Sequence, residues 1–244
     1  MIIDTHCHLD LYDRPELIVQ ECERQNILTI GVTNLPSHFQ IGLPHVKSCK
    51  KVRLALGMHP LYAKMHAKEF DLFLKNIEKT SYVGEIGLDF SWEGIETKEI
   101  QINTFTQILK NVQSKKKILT IHSRKAEKEV LELLVKYNIS SAIFHWYSGP
   151  LSLINKIVEW GYYFSINPSM IQSENGRKII SKIPLDRILT ESDGPFIKIN
   201  KEVIKPENVI LVIDYLSKER NLTKKEVEKS IYDNFKRIIN NIKK

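Results

Sequence analysis

The sequence predicts an α/β protein of the TIM type, a (β/α)8 barrel, and three observations predict it. Short apolar runs rich in Ile, Val and Leu recur near 1–5, 27–33, 52–57, 82–86, 117–122, 141–145, 162–167 and 187–192, each short enough to be a strand buried on both faces. Amphipathic segments with helical spacing alternate with them. Side chains of metal-ligand type stand at or just past the ends of five of those runs: His6 and His8, Glu85, His122, His145 and Asp193. In a parallel barrel all those ends open on one face. An open doubly wound sheet explains the eight runs less well and gives no reason for ligands after the first, fourth, fifth, sixth and eighth.

The elements follow in order. Ile2 and Ile3 lead the first strand, and a helix over 14–25 carries Pro15 in its first turn, where proline's missing N–H costs nothing. Further helices are expected near 40–49 and over 67–79, 98–114, 124–137 and 151–160, the last stopped by Gly161. A helix over 173–182 precedes the eighth strand, and a pair near 206–219 and 223–240 closes the chain, with Thr223 and Glu226 at capping-box spacing.

A length of 244 residues and 42% hydrophobic content suit one such barrel. Residues 1–244 are therefore read as a single domain, with no linker, composition shift or repeat to divide them. No stretch approaches the roughly 20 apolar residues that span a bilayer, and Met1-Ile2-Ile3-Asp4 opens without a leader pattern. A cytoplasmic location without membrane contact is expected. Cys7, Cys22 and Cys49 cannot all pair within one chain and lack CxxC spacing, so they read as reduced thiols. The formal charge of +7 permits a polyanionic partner. Much of the excess lies in Lys115-Lys116-Lys117, Lys224-Lys225 and Lys243-Lys244, which read as solvated helix ends.

The proposed site is built on a strand's period of two. His6 and His8 share one face about 6 to 7 Å apart, suited to one ion, while Cys7 points to the other face. Glu85, between Gly84 and Gly87, is placed to bridge two ions, offsetting their repulsion and fixing their spacing. His122 and His145 close successive strands and can flank a second ion. Asp193 follows the eighth strand, beside the first, and is expected to ligate the first ion and orient the attacking water; Glu191 is the rival carboxylate. His59 and Arg124 stand near the same rim, placed to contact phosphate, although Arg124 equally suits a helix-start salt bridge. His38, His45 and His66 are read as surface and given no role.

In order along the chain stand HCHLD at 6–10, GMHP at 57–60, GEIGLD at 84–89, Gln101 with Phe105, IHSRKA at 121–126, the His145 motif and ESDGP at 191–195. Together they resemble the TatD family of metal-dependent deoxyribonucleases, within the amidohydrolase-like barrels, over Asp4 to about Phe196. The resemblance implies two divalent metal ions (Mg, Mn or Zn): one held by His6, His8 and Asp193, the other by His122 and His145, with Glu85 shared. It implies a DNA phosphodiester as substrate and His59 and Arg124 on its phosphate. HWYSGP at 145–150, YYFSINPSM at 162–170 and ILTESDGPF at 188–196 are most similar to QatD, the TatD-like component of the Qat antiphage system. That implies the other Qat proteins as partners and phage-related nucleic acid as target.

The chain departs from the wider family after the eighth strand. Where relatives carry an Arg-Gly loop, Ile197 to Pro206 offers Lys198, Lys201 and Lys205, and Lys125 replaces an acidic residue. This implies a rim adapted to a different nucleic acid or to a protein partner. Two other readings stand beside the nuclease. An acyl or amide hydrolase is opposed by Glu85, which occupies the place of those enzymes' carbamylated lysine. A metal-stabilised scaffold subunit of a defence complex is opposed by the intact ligand set.

Overall fold

The computed structural model describes residues 1–242; Lys243-Lys244, read above as solvated, lies outside the described residues. The chain folds as a TIM-type barrel whose parallel strands are β1 (Ile3–Cys7), β2 (Leu28–Gly31), β3 (Val52–Leu54), β4 (Leu56–Met58), β5 (Tyr82–Gly87), β6 (Ile118–His122), β7 (Ala142–His145), β8 (Tyr163–Ile166) and β9 (Ile188–Thr190). Hydrogen-bonded neighbours run β1-β2-β3 and then β4 through β9 in sequence order. Around them lie α1 (Pro15–Gln25), α2 (Pro36–Val46), α3 (His66–Asn76), α4 (Lys98–Val112), α5 (Glu127–Lys136), α6 (Leu151–Glu159), α7 (Glu174–Lys182), α8 (Ile210–Glu219) and α9 (Lys224–Asn241).

Two seams join the two groups of strands, and both bear on the site. Between β9 and β1, the Thr5 hydroxyl donates to the Thr190 carbonyl (3.1 Å) and the Thr190 hydroxyl donates to that of Ile3. Main-chain bonds from Asp193 N to His6 O (2.9 Å) and from His8 N to Gly194 O (2.8 Å) continue it. The other seam breaks the expected strand 52–57 at Ala55, giving β3 and β4. Ala55 N donates to Gly31 O (2.8 Å), and Gly57 N donates to the Thr33 hydroxyl (3.0 Å). Thr33 then reaches past β4 to β5, its carbonyl accepting from Glu85 N at 3.2 Å. Gly57 makes this possible, because a Cβ there would lie 1.5 Å from the Thr33 carbonyl oxygen.

One contiguous core fills the barrel and the layer beneath its helices, from Ile3 on β1 to Ile238 on α9. Burying each such side chain contributes about 1.5–3 kcal/mol before conformational entropy is set against it. α1 starts at Pro15, α6 closes before Gly161 (φ +80°), and Thr223 and Glu226 make the expected capping box. Two expectations are corrected. The helix expected near 40–49 runs from Pro36 to Val46; Pro36 is its first residue, and Pro44 inside it obscures the pattern. Lys117 is not solvated: it is 9% exposed and donates to the Thr80 carbonyl at 2.7 Å, while Lys115 pairs with Glu78. Beyond β9, an antiparallel hairpin of β10 (Lys198–Ile199) and β11 (Glu202–Val203) lies within Ile197 to Lys205, for which no element is expected from the sequence. Among the described residues no helix is long and apolar enough to cross a membrane.

Candidate metal centre

The ends of β1, β5, β6 and β7 and the turn after β9 deliver their polar side chains to one buried cluster. His6 turns Nδ1 to the Thr120 hydroxyl (3.0 Å) and Nε2 inward, 3.3 Å from His8 Nε2. Glu85 lies between two sets of imidazoles. Its Oε2 is 3.2 Å from His8 Nε2 and 3.4 Å from His6 Nε2. Its Oε1 is 2.6 Å from His122 Nδ1, 3.4 Å from His59 Nε2 and 3.7 Å from His145 Nε2. Asp193 Oδ1 faces His6, His8 and His145 at 3.6, 3.8 and 3.9 Å.

All six expected ligands therefore meet, and His59 joins them. Three overlapping sets have donor atoms within 4.8 Å of one another: His6, His8 and Asp193; His6, Glu85 and His145; His59, Glu85 and His122. The donor set fits divalent cations held by nitrogen and oxygen. Asp193 Oδ1 and His8 Nδ1 are buried without a hydrogen-bond partner, a costly state that a cation beside the carboxylate would relieve.

Electrostatics point the same way. Burial disfavours a charged His145, yet Glu191, Asp193 and Glu85 outweigh it and raise its pKa to about 10. Burial likewise opposes charge on His122, but hydrogen bonds to Asp89 and Glu85 carry it up to about 9. His6 is driven down to about 3 by burial and by the neighbouring His145. Burial pushes the Asp193 carboxyl up to about 7. Glu85 stays well below the usual carboxylate range: burial raises it, and the imidazoles of His59, His6 and His145, with the His122 hydrogen bond, more than reverse that. The carboxylates thus favour positive charge at His122 and His145 within this cluster.

Several supporting residues escape a reading of the sequence. Asp89, in the GEIGLD motif, accepts from or shares a proton with His122 Nε2 at 2.8 Å, which leaves Nδ1 facing the cluster. Its own main-chain N–H donates to Gln101 Oε1 at 2.8 Å. Glu191 lies beneath His145, 2.9 Å from Nδ1. Asp4, fully buried, accepts from Ser192 N (2.9 Å), the Ser192 hydroxyl (2.6 Å) and His6 N (3.1 Å), tying β1 to the turn that carries Asp193. His66, read as surface, is 3% exposed, with Nε2 3.0 Å from the His59 carbonyl. Cys7 faces away, toward Tyr12 and Gly194. Arg124 stays out of the cluster, its Nη1 donating to Glu93 at 2.6 Å.

The family model described as TatD related DNase matches residues 3–240. The human deoxyribonuclease TATDN3 is 26% identical over 246 residues, covering 93% of this chain and 90% of its own. An uncharacterized metal-dependent hydrolase of Methanocaldococcus jannaschii is 27% identical, covering 95% and 94%. Among solved structures, the TatD homolog YJJV of Escherichia coli superposes with a TM-score of 0.85 at 22% identity, covering 98% of each chain.

Proposed function

The chain belongs to the TatD-related DNase family, and from that premise we propose that it is a nuclease hydrolysing DNA phosphodiester bonds at a centre of two divalent ions, Mg, Mn or Zn. One observation carries this reading: the two oxygens of Glu85 face separate imidazole sets, His6 with His8 and His122 with His59 and His145. A carboxylate so placed suits a shared ligand. In the proposal His6, His8 and Asp193 hold one ion, and His122 and His145 the other. Ions bound there would supply positive charge opposite the phosphate and the acidity that makes water a nucleophile at neutral pH.

The chain's own groups do the rest. Asp193, which in this proposal also holds an ion, is placed by its buried carboxylate to orient the attacking water and take its proton. His59, whose Nδ1 accepts from Leu61 N at 3.1 Å, keeps its neutral-form proton on Nε2, the atom that faces the cluster and can donate to a phosphate oxygen. Arg124 stands at the rim as a second phosphate contact.

We place residues 1–244 in one hydrolase unit in the cytoplasm, supported by the unpaired thiols Cys7, Cys22 and Cys49. A role in Qat-type antiphage defence with the other Qat proteins rests on the motifs at 145–150, 162–170 and 188–196 alone. The test uses metal-stripped protein and end-labelled single- and double-stranded DNA, with magnesium, manganese or zinc added back and Glu85→Gln alongside. Metal-dependent cutting by the parent alone is expected. No cutting by either protein on any of these substrates would reject the reading.

A further inference from the structure

Three aromatic side chains stand beside different histidines of the cluster, and the phosphate chemistry does not use them. Phe196, one residue past the cis Gly194-Pro195 bond's proline, is 59% exposed, and its ring lies 4.8 Å from that of His8 at 80°. Its N–H donates to the Asp193 carbonyl at 3.1 Å, so the backbone that carries the phenyl is tied to a candidate ligand. Two other cluster histidines have aromatic neighbours: Tyr62, 39% exposed, is 6.1 Å from His59, and half-buried Trp146 is 6.3 Å from His145.

The segment after Phe196 is held firmly. Ile197 and Ile204 are each 4% exposed and bond main chain to main chain at 2.9 Å, and the Tyr12 hydroxyl donates to the Ile204 carbonyl at 2.6 Å. Asn200 and Lys201 both adopt left-handed φ (50° and 70°) in the tight turn. The hairpin thus presents Lys198 and Lys201 to solvent, and among the described residues neither forms an ion pair.

We propose that Phe196 is the platform on which a nucleobase next to the scissile phosphate stacks, with Lys198 and Lys201 of the β10–β11 hairpin drawing in the adjoining backbone. The inference rests on the nuclease reading and deepens it: the site recognises a nucleotide, not a bare phosphodiester. A phosphate held by ions at this centre would lie beside His8, whose ring adjoins the phenyl of Phe196 at 4.8 Å. With 59% of its surface exposed and its backbone tied to Asp193, Phe196 has ring surface open to a substrate's apolar part, and every nucleobase has a π-face to offer. Lysines on the flanking turn suit the phosphate charge that follows.

The test compares the parent with Phe196→Leu, which keeps an apolar contact to His8 but has no ring, and Phe196→Tyr, which keeps the ring. The probe is a phosphorothioate-blocked single-stranded oligodeoxynucleotide carrying 2-aminopurine, and metal content is measured on each protein. Stacking predicts quenched fluorescence with the parent and with Phe196→Tyr, and loss of quenching with Phe196→Leu. It also predicts a KM for the unblocked oligonucleotide raised about tenfold in Phe196→Leu, with a smaller change in kcat. Equal quenching and KM in Phe196→Leu and the parent, with DNA still cut, would overturn the platform alone. A parent that neither binds nor cuts the oligonucleotide would overturn both this inference and the nuclease reading beneath it.

Discussion

Glu191 Oε2 lies 2.9 Å from His145 Nδ1, and that carboxylate is wholly buried. It also accepts from Trp146 N at 3.1 Å, Asn167 Nδ2 at 2.9 Å and the Ser165 hydroxyl. Four donors converge on one carboxylate, which fixes the His145 ring and leaves Nε2 facing Glu85 and Asp193. Outer partners of this kind tune ligand basicity and orientation. Glu191→Gln places an amide N–H against one of those donors. Its metal affinity, measured by competition with a chelator, is expected to fall roughly 10- to 100-fold. Parent-like affinity in a folded Glu191→Gln protein would remove Glu191 from the account.

Metal binding should tighten with rising pH. Protons held on His122 to about 9 and on His145 to about 10 must leave when a cation arrives, so affinity rises by up to about tenfold per pH unit for each proton displaced. Stability without metal follows the opposite sign. His122 has a folded pKa above its ordinary 6.5, so its contribution is full below 6.5 and is lost as pH rises through about 9. The rise in Tm on adding metal is therefore expected to be larger near pH 8 than near pH 6. Thermal melts with and without metal at both values check this, and a larger rise at the lower pH contradicts it.

The ligands are legible in the sequence because each ends an apolar run, and strand ends in a parallel barrel share a face. Their supports are not. Glu191 reads in the sequence as a rival ligand to Asp193, and only the parallel register that sets His145 beside Ser165, and Ser165 beside Leu189, shows it beneath His145. His66 stands between two lysines, Lys64 and Lys68, with only Met65 and Ala67 beside it, and its Nε2 meets the His59 carbonyl at the other end of a 3-10 turn. The β10–β11 hairpin has strands of two residues and a lysine where the turn most often has glycine, so neither periodicity nor turn residues announce it.

The seam at Gly57 gives a contrast between two glycines. Alanine at 57 would set its Cβ 1.5 Å from the Thr33 carbonyl oxygen and 3.1 Å from Glu85 N, against backbone on both sides. Gly161 has φ +80°, and a Cβ there would meet nothing within 4 Å. Gly161→Ala is expected to cost about 1–2 kcal/mol from backbone conformation alone. Gly57→Ala is expected to cost more than about 4 kcal/mol or to prevent folding. Urea unfolding of the two variants ranks them, and equal costs would contradict the account of Thr33 passing over β4.

Arg124 and Glu93 face each other across the rim at 2.6 Å, with side chains 47% and 38% exposed. So exposed a pair contributes at most about 1 kcal/mol to stability, and its significance lies in what it withholds from a substrate. Arg124→Ala should leave Tm and metal content close to the parent and raise the KM for DNA. Glu93→Gln frees the guanidinium for a phosphate and should lower that KM. The slope of log affinity against log salt separates this from a packing effect, because each phosphate contact on a single strand contributes about −0.7. Arg124→Ala is expected to flatten the slope by about that amount, while Glu93→Gln steepens or preserves it. Equal slopes in the parent and Arg124→Ala would mean that the guanidinium serves Glu93 alone and never reaches the substrate.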